Sequence, residues 1–375
     1  MSSFKEGLED IVVSTSEICF IDGREGRLLY RGYDVDDLVQ HSSFEEVVYL
    51  LWNGTLPSRK ELEAHVKALS STAGRKLPPK LITMLRQLPR KTTPMEVLRT
   101  GVSALSAFDP DAADNSREAT TRKAIRLTAQ MPTLVAAWER LRRGKTPVAP
   151  NPKLSLAGNF VYMMSGKKPT DLATKTFDVA LILHADHEFN ASTFAARVTA
   201  ATLSDLHSAI VSGIGALKGP LHGGANEQVM RVVEQIKTPE RAEAWIRKAL
   251  ADKARIMGFG HRVYRVEDPR AKHLRRLASE LGQQVGNTSY VKILDTVARV
   301  VTVEKKIYPN VDLYSGAAYA SMGISTDQFT PIFAMSRVAG WAAHVLEQHA
   351  HNRLIRPRAE YTGHGKQQYV PIERR

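Results

Sequence analysis

Apart from one short strand-like stretch, this chain reads as helix after helix with almost no pause, and that pattern most limits the folds open to it. Ile18-Cys19-Phe20-Ile21 and Leu28-Leu29-Tyr30-Arg31 flank the turn-rich Asp22-Gly23-Arg24-Glu25-Gly26, which predicts a small β-hairpin. Downstream, apolar residues return at helical spacing behind recognisable starts. Ser42 or Ser43 can cap a helix carrying Val47, Leu50 and Leu51, Pro57-Ser58 opens another through Leu62, Val66 and Leu69, and others begin at Pro79 and Pro94. The run from Arg117 to Arg143 predicts a further helix that Pro132 kinks or breaks. Strand and helix never alternate, which argues against a parallel α/β sheet and for a mainly α fold.

The second half keeps the same grammar. Gly144 to Pro152 and Gly166 to Asp171 read as loops, the latter ending in a helix cap. The next helix runs through Phe177, Val179 and Leu183 into His184-Ala185-Asp186-His187-Glu188. Ser204 to Leu217 is rich in small residues, which lets another helix, or a second copy of the chain, approach closely. Thr238-Pro239 and Asp268-Pro269 each pair a cap residue with proline at the first helical position. Tyr308-Pro309-Asn310 breaks the chain, and Thr330-Pro331 starts a long apolar helix toward His349. The block 223–323 reads as a compact small domain inserted into a larger helical one made of 1–222 and 324–375.

Composition narrows the class. At 375 residues, with 43% hydrophobic and 24% charged residues, the chain has the make-up of a globular protein with a large core. Cys19 is the only cysteine, so no intrachain disulfide can form, which suits a reducing compartment. Met1 to Glu6 has no apolar stretch like a signal peptide and no run reaches membrane-spanning length, so a cytoplasmic location is expected. The net charge of +13 raises nucleic acid as a partner. The basic residues are scattered, without aromatic interleaving, and fit anionic small molecules better.

Several residues can carry chemistry. His222 lies in Gly219-Pro220-Leu221-His222-Gly223-Gly224-Ala225-Asn226-Glu227, a tight turn ahead of a helical pattern. A histidine at a helix N-terminus tends to stay neutral and can donate to a developing oxyanion; the same stretch also serves as an ordinary structural turn. His261 sits among the glycines of Met257-Gly258-Phe259-Gly260-His261-Arg262-Val263-Tyr264. His184 and His187, one helical turn apart with Asp186 and Glu188 beside them, could instead hold a metal, which would make the chain a metal-dependent hydrolase. Asp312 follows a breaker among apolar and small residues, where a carboxylate either acts as a base or caps the next helix. Arg337 falls on an apolar helix face with Phe333, Ala334, Val338 and Trp341, so its guanidinium needs an anion. Arg270 and Arg356 could add further forks, a set suited to a small polycarboxylate.

Taken together, these motifs resemble the citrate synthase family in its shorter bacterial and archaeal form. The resemblance runs from Gly7-Leu8-Glu9 through Tyr30-Arg31-Gly32-Tyr33 to Arg356-Pro357-Arg358-Ala359-Glu360-Tyr361, and its most specific parts are the His222 and His261 stretches. It implies a mainly helical homodimer with a small domain that closes over the substrates. It implies that Asp312 takes a proton from acetyl-CoA, His222 donates to the thioester oxygen, and His261 polarises the ketone of oxaloacetate. His187, Arg270, Arg337 and Arg356 would hold oxaloacetate, Arg356 from the partner subunit. Arg255, Ile256, Met257, Gly258 and Phe259 match the coenzyme A loop, and Asn190 and Ser192 match supporting positions. No metal or other cofactor is implied. The 2-methylcitrate synthases, which use propionyl-CoA, share these residues, and Leu313 does not separate the two.

Overall fold

The computed structural model describes residues 5–8 and 11–375. The reading of Met1 to Phe4, and Glu9 of the resemblance, lie outside them. Three short antiparallel strands, β1 (Cys19–Asp22), β2 (Arg27–Tyr30) and β3 (Tyr33–Asp34), form one sheet, with Cys19 opposite Tyr30 and Leu29 opposite Asp34. Otherwise the chain is helical: α1 (Val35–His41), α2 (Phe44–Asn53), α3 (Arg59–Ser70), α4 (Thr72–Arg75), α5 (Pro79–Gln87), α6 (Pro94–Ser106) and α7 (Arg117–Arg142) come first. Then follow α8 (Leu156–Ser165), α9 (Asp171–His184), α10 (Ala191–Ala200) and α11 (Leu206–Leu217). The 223–323 block holds α12 (Ala225–Ile236), α13 (Pro239–Ala251), α14 (Pro269–Gln284), α15 (Ser289–Lys305) and α16 (Asp312–Ser321), and α17 (Phe329–Ala350) comes last.

Most expected starts are the observed ones, although α17 begins at Phe329, just ahead of Thr330-Pro331, and Thr238 makes no side-chain cap. Ser43 caps α2, Ser58 and Glu61 close a capping box on α3, and Thr170 caps α9. Two expectations need correction. Pro132 does not break α7, which runs unbroken through it with both sides buried; packing outweighs the one missing N–H. The sheet has a third strand, because Gly32 (φ 87°) turns the chain back on β2.

Helix α17 organises the core. From Phe329 to Leu346 every residue is buried, as expected of a helix apolar on all sides. It packs on α7, α10, α11, α9 and α2. Small residues set the spacing: a Cβ on Gly340 would stand 2.4 Å from the Ala185 carbonyl, and Gly340 N–H donates to that carbonyl at 3.1 Å. The segment after α9, which carries His187, is thereby laid directly on α17. The small-residue helix α11 also packs within its own chain, on α10, α6 and α17, with Gly213 against the Trp341 ring. Helices α12 to α16 pack chiefly on one another, α14 against α16 and α13 against α15, while α14 also touches α9 and α12 touches α17.

Candidate active site

His222 sits in the turn between α11 and α12, closed by His222 N–H donating to the Gly219 carbonyl (3.0 Å) and Gly223 N–H to the Leu217 carbonyl (3.0 Å). Its ring turns to a different helix from the one it precedes. Nε2 lies 2.8 Å from Ser192 Oγ and accepts from the Ser192 backbone N–H at 3.3 Å, in the first turn of α10. A free N–H there is one of the unsatisfied donors of a helix start. It leaves the ring proton on Nδ1, so His222 is a neutral donor. Burial, helped by the charge of Arg337, pulls its pKa down to about 4. Ser192 is held in turn by Asn190 Oδ1 (2.8 Å), the cap of α10, and by the Trp341 indole N–H (3.2 Å).

The second histidine is fixed the other way round. His261 Nδ1 accepts from the backbone N–H groups of Val263 (3.0 Å) and Tyr264 (3.2 Å), which puts the proton on Nε2. Burial, then the charge of Arg270, lowers its pKa to about 4. His187 meets it edge-on with ring centres 4.9 Å apart, and His187 Nε2 lies 3.3 Å from the Tyr264 hydroxyl. Burial and Arg270 hold His187 well below the ordinary histidine range.

Arg270 is buried and already paired, through Nε to Asp268 Oδ1 (2.9 Å) and Nη2 to Asp268 Oδ2 (2.7 Å). Burial alone would raise Asp268, but Arg270 outweighs it and keeps the carboxyl below its usual range. Asp268 Oδ2 also accepts from Val311 N–H at 3.3 Å, tying this pair to the start of α16. Around it the 258–260 loop is zipped to 308–310: Asn310 N–H to the Gly258 carbonyl (2.9 Å), Gly260 N–H to the Tyr308 carbonyl (2.9 Å) and Asn310 Nδ2 to the Gly260 carbonyl (3.0 Å). Asp312, two residues on, makes no side-chain cap, and Oδ1 is shut off from solvent without a partner. Burial raises its pKa to about 7, against the opposing charges of Arg270 and Arg337.

Arg337, on α17, is fully buried, donates through Nε to the His184 carbonyl (2.7 Å) and lies over the Phe333 ring at 4.8 Å. Among the described residues its Nη1 has no partner, so a buried charged donor is left open to a carboxylate. Its field reaches His187, His222 and Asp312 alike, and the field of Arg270 reaches His187, His261 and Asp312. These six residues therefore form one site.

Not every expected residue joins it. Arg356 lies in the extended tail beyond α17, exposed and without a hydrogen bond or ion pair among the described residues. In the expected coenzyme A loop, Arg255 is exposed, Ile256, Met257 and Phe259 are half-buried, and Gly258 (φ 86°) is buried. The close approach that Gly258 allows is to its own chain, since a Cβ there would lie 2.9 Å from Leu313 and Val229 side chains. The metal reading of His184 and His187 loses its geometry. His184 Nδ1 is bonded to the Ala180 carbonyl (2.7 Å), His187 turns to Tyr264, and among the described residues no three His, Cys, Asp or Glu side chains are placed to hold a metal ion. Asp268, Tyr264, Phe333 and Trp341 escaped the sequence reading. Asp268 could be read only as a cap, and nothing in a linear pattern brings Trp341 to Ser192.

The sequence profile of "Citrate synthase, C-terminal domain" matches residues 7–358. The chain belongs to the citrate synthase family. It is 50% identical over 98% of both chains to citrate synthase 2 of Bacillus subtilis, and 43% identical to a 2-methylcitrate synthase of Mycobacterium tuberculosis over 98% of this chain and 92% of that one. It superposes with TM-score 0.90, at 36% identity and 98% coverage of both, on a Thermoplasma acidophilum citrate synthase solved with carboxymethyl coenzyme A and oxaloacetate. Among the described residues no helix is long and apolar enough to cross a membrane.

Proposed function

We propose that this member of the citrate synthase family condenses acetyl-CoA with oxaloacetate to give citrate and CoA. One observation carries the reading. A carboxyl held near pKa 7 shares a site with two histidines held neutral in opposite tautomers and a buried arginine with a free Nη1. A thioester methyl group is a very weak acid, so removing its proton requires a base poised near neutrality and a donor for the enol oxygen. Asp312 is that base, and its proton acceptance relieves a buried charge. His222 Nδ1–H donates to the thioester oxygen as charge develops. His261 Nε2–H polarises the ketone and protonates its oxygen as the new carbon–carbon bond forms. Arg337 Nη1, Arg270 and His187 bind the oxaloacetate carboxylates, with Asn190 and Ser192 holding His222. Water then cleaves the thioester, releasing the CoA thiol and making the sequence effectively one-way.

The 223–323 block, with residues 255–259 against the coenzyme, is the part that moves over the substrates; closure keeps water out until condensation is complete. The working unit is a homodimer in which Arg356 completes the partner's site. No metal or other cofactor takes part. The location is the cytoplasm. The decisive assay is release of free CoA thiol from acetyl-CoA that depends on oxaloacetate and is indifferent to EDTA. Release without oxaloacetate, or loss on chelation, rejects the reading. The likeness to a 2-methylcitrate synthase supports propionyl-CoA as a second acyl donor, and kcat/KM for the two thioesters with oxaloacetate decides between them.

A further inference from the structure

The β1–β2 hairpin supplies none of the proposed site residues, yet both loops that carry the facing histidines are fastened to it. On the strand side, Ile21 N–H donates to Glu188 Oε1 at 3.1 Å, and the Tyr30 hydroxyl lies 3.0 Å from the Asp186 carbonyl and accepts from Asp186 N–H at 3.3 Å. His187 stands between these two anchored residues. On the turn side, the Gly23 carbonyl accepts from Arg265 N–H at 2.8 Å. The backbones touch: a Cβ on Gly23 would stand 2.2 Å from the Val263 carbonyl oxygen, and one on Gly26 would stand 2.7 Å from the Val266 side chain. Val263 and the residue after it supply the two N–H groups that fix His261 Nδ1. Between the two sets of anchors runs one antiparallel ladder of four residue pairs, Cys19–Tyr30 to Asp22–Arg27. Its turn is pinned by Asp22 Oδ1, which accepts from Arg24 N–H (3.0 Å) and Glu25 N–H (2.9 Å).

We infer that the hairpin is a positioning bracket for the oxaloacetate site, setting the distance between His187 on one side and His261 with Tyr264 on the other, and that Gly23 and Asp22 are its positioning residues. The inference rests on the proposed reading of those two histidines as oxaloacetate ligands. A hydrogen-bonded ladder is stiff across its width, so with the 223–323 block seated as it is here the 4.9 Å ring separation is supported by the hairpin and does not depend on the loops alone. The glycine at 23 is required by contact and not by its own backbone. Its φ lies outside the left-handed region, so alanine strains nothing there except the approach of Val263. The strand signal that stands alone in a helical sequence thereby gains a role.

The test compares Gly23→Ala, Asp22→Ala and Asp22→Asn with the wild type, measuring kcat, both KM values and the melting temperature with and without oxaloacetate. Gly23→Ala is expected to lower kcat/KM for oxaloacetate on the order of 100-fold, because displacement of about 1 Å at a binding group has that effect. The KM for acetyl-CoA changes less than that for oxaloacetate, the ligand-free melting temperature falls because the Val263 backbone must move, and stabilisation by oxaloacetate shrinks. Asp22→Ala moves the same quantities less, and Asp22→Asn restores them, since an amide oxygen also accepts both N–H groups. Wild-type oxaloacetate kinetics in Gly23→Ala overturns the inference. So does a lowered melting temperature with an unchanged oxaloacetate KM, which is the signature of a purely structural staple. Should Gly23→Ala fail to fold, the Asp22 pair decides by the same division of KM effects. A wild-type protein without oxaloacetate-dependent CoA release rejects the proposed function and this inference together; an active wild type with unaffected variants rejects this inference alone.

Discussion

Between Gly258 and Asp312 each proposed site residue is fastened by its own chain, whereas Arg356 stands in a tail, 351–375, that its own chain leaves almost wholly exposed. In the first region backbone donors fix His261, Asp268 clamps Arg270, and the 258–260 and 308–310 segments are zipped together. Asp268 and Arg270 there are buried by their own chain, while His261 and Asp312 are half-buried. The tail shows the reverse condition: Arg356 has reach but no partner among the described residues, with Leu354 at 58% and Tyr361 at 78% exposure beside it. Large apolar groups standing free next to an unpaired cation call for a covering surface. The contrast teaches how differently the two regions meet the proposed reading: one is assembled within the chain, and the other fits it only with Arg356 reaching a second copy.

The largest expected effect tests the internally held region. Asp312→Asn keeps the shape and removes the base, so kcat should fall by about 10³- to 10⁴-fold, near the full contribution of a general base. Turnover near that of the wild type would move the base elsewhere.

The exposed side is tested by mixed dimers of Asp312→Ala and Arg356→Leu subunits, each inactive as a homodimer. If Arg356 serves the partner, one site of the hybrid is intact and activity returns to roughly half of wild type, since distant sites act independently. An inactive hybrid would return Arg356 to its own subunit and dissolve the contrast.

Arg337→Leu should act on binding first, raising the KM for oxaloacetate about 10- to 100-fold, the usual loss for a charged hydrogen bond. A change confined to kcat would show that Arg337 faces the reaction and not the carboxylates.

Titration sharpens the picture further. Asp312 works as the anion, so kcat/KM should rise with pH to a plateau above about 7. His222 and His261, neutral above about 4, add no second limb in that range. A limb near the ordinary histidine value of about 6.5 that persists in Asp312→Asn residual activity would contradict this.

The smallest effect is on stability, away from the site. Asp178, buried on α9 and close to Glu45, accepts from Phe44 N–H at 3.1 Å, and burial raises its pKa from 3.8 to about 7. Through that window the native state holds a proton the unfolded chain has lost, so this group makes stability fall as pH rises. Asp178→Asn retains the acceptor and should flatten that part of the stability curve; an unchanged slope would show that the carboxyl is solvated.

Much of this was legible in the sequence because it is local. Caps, proline starts, the hairpin and the helical periods depend on neighbours within a few residues, and the glycine-flanked His222 and His261 announce themselves for the same reason. The linear pattern left Pro132 open between a kink and a break, and burial of both flanks rules out the break. It could not show that His222 takes its tautomer from Ser192, 30 residues away, or that Trp341 steadies that serine from 149 residues away. Nor could it tell the paired Arg270 from the open Arg337, since both are arginines near apolar helix positions. Protonation, tautomer and unpaired charge are set by what surrounds a group in space, and burial and long-range hydrogen bonds exist only once the chain has folded. The sequence by itself determined which helices form and which side chains could react; the tertiary structure decided which of them meet, and in what charge state.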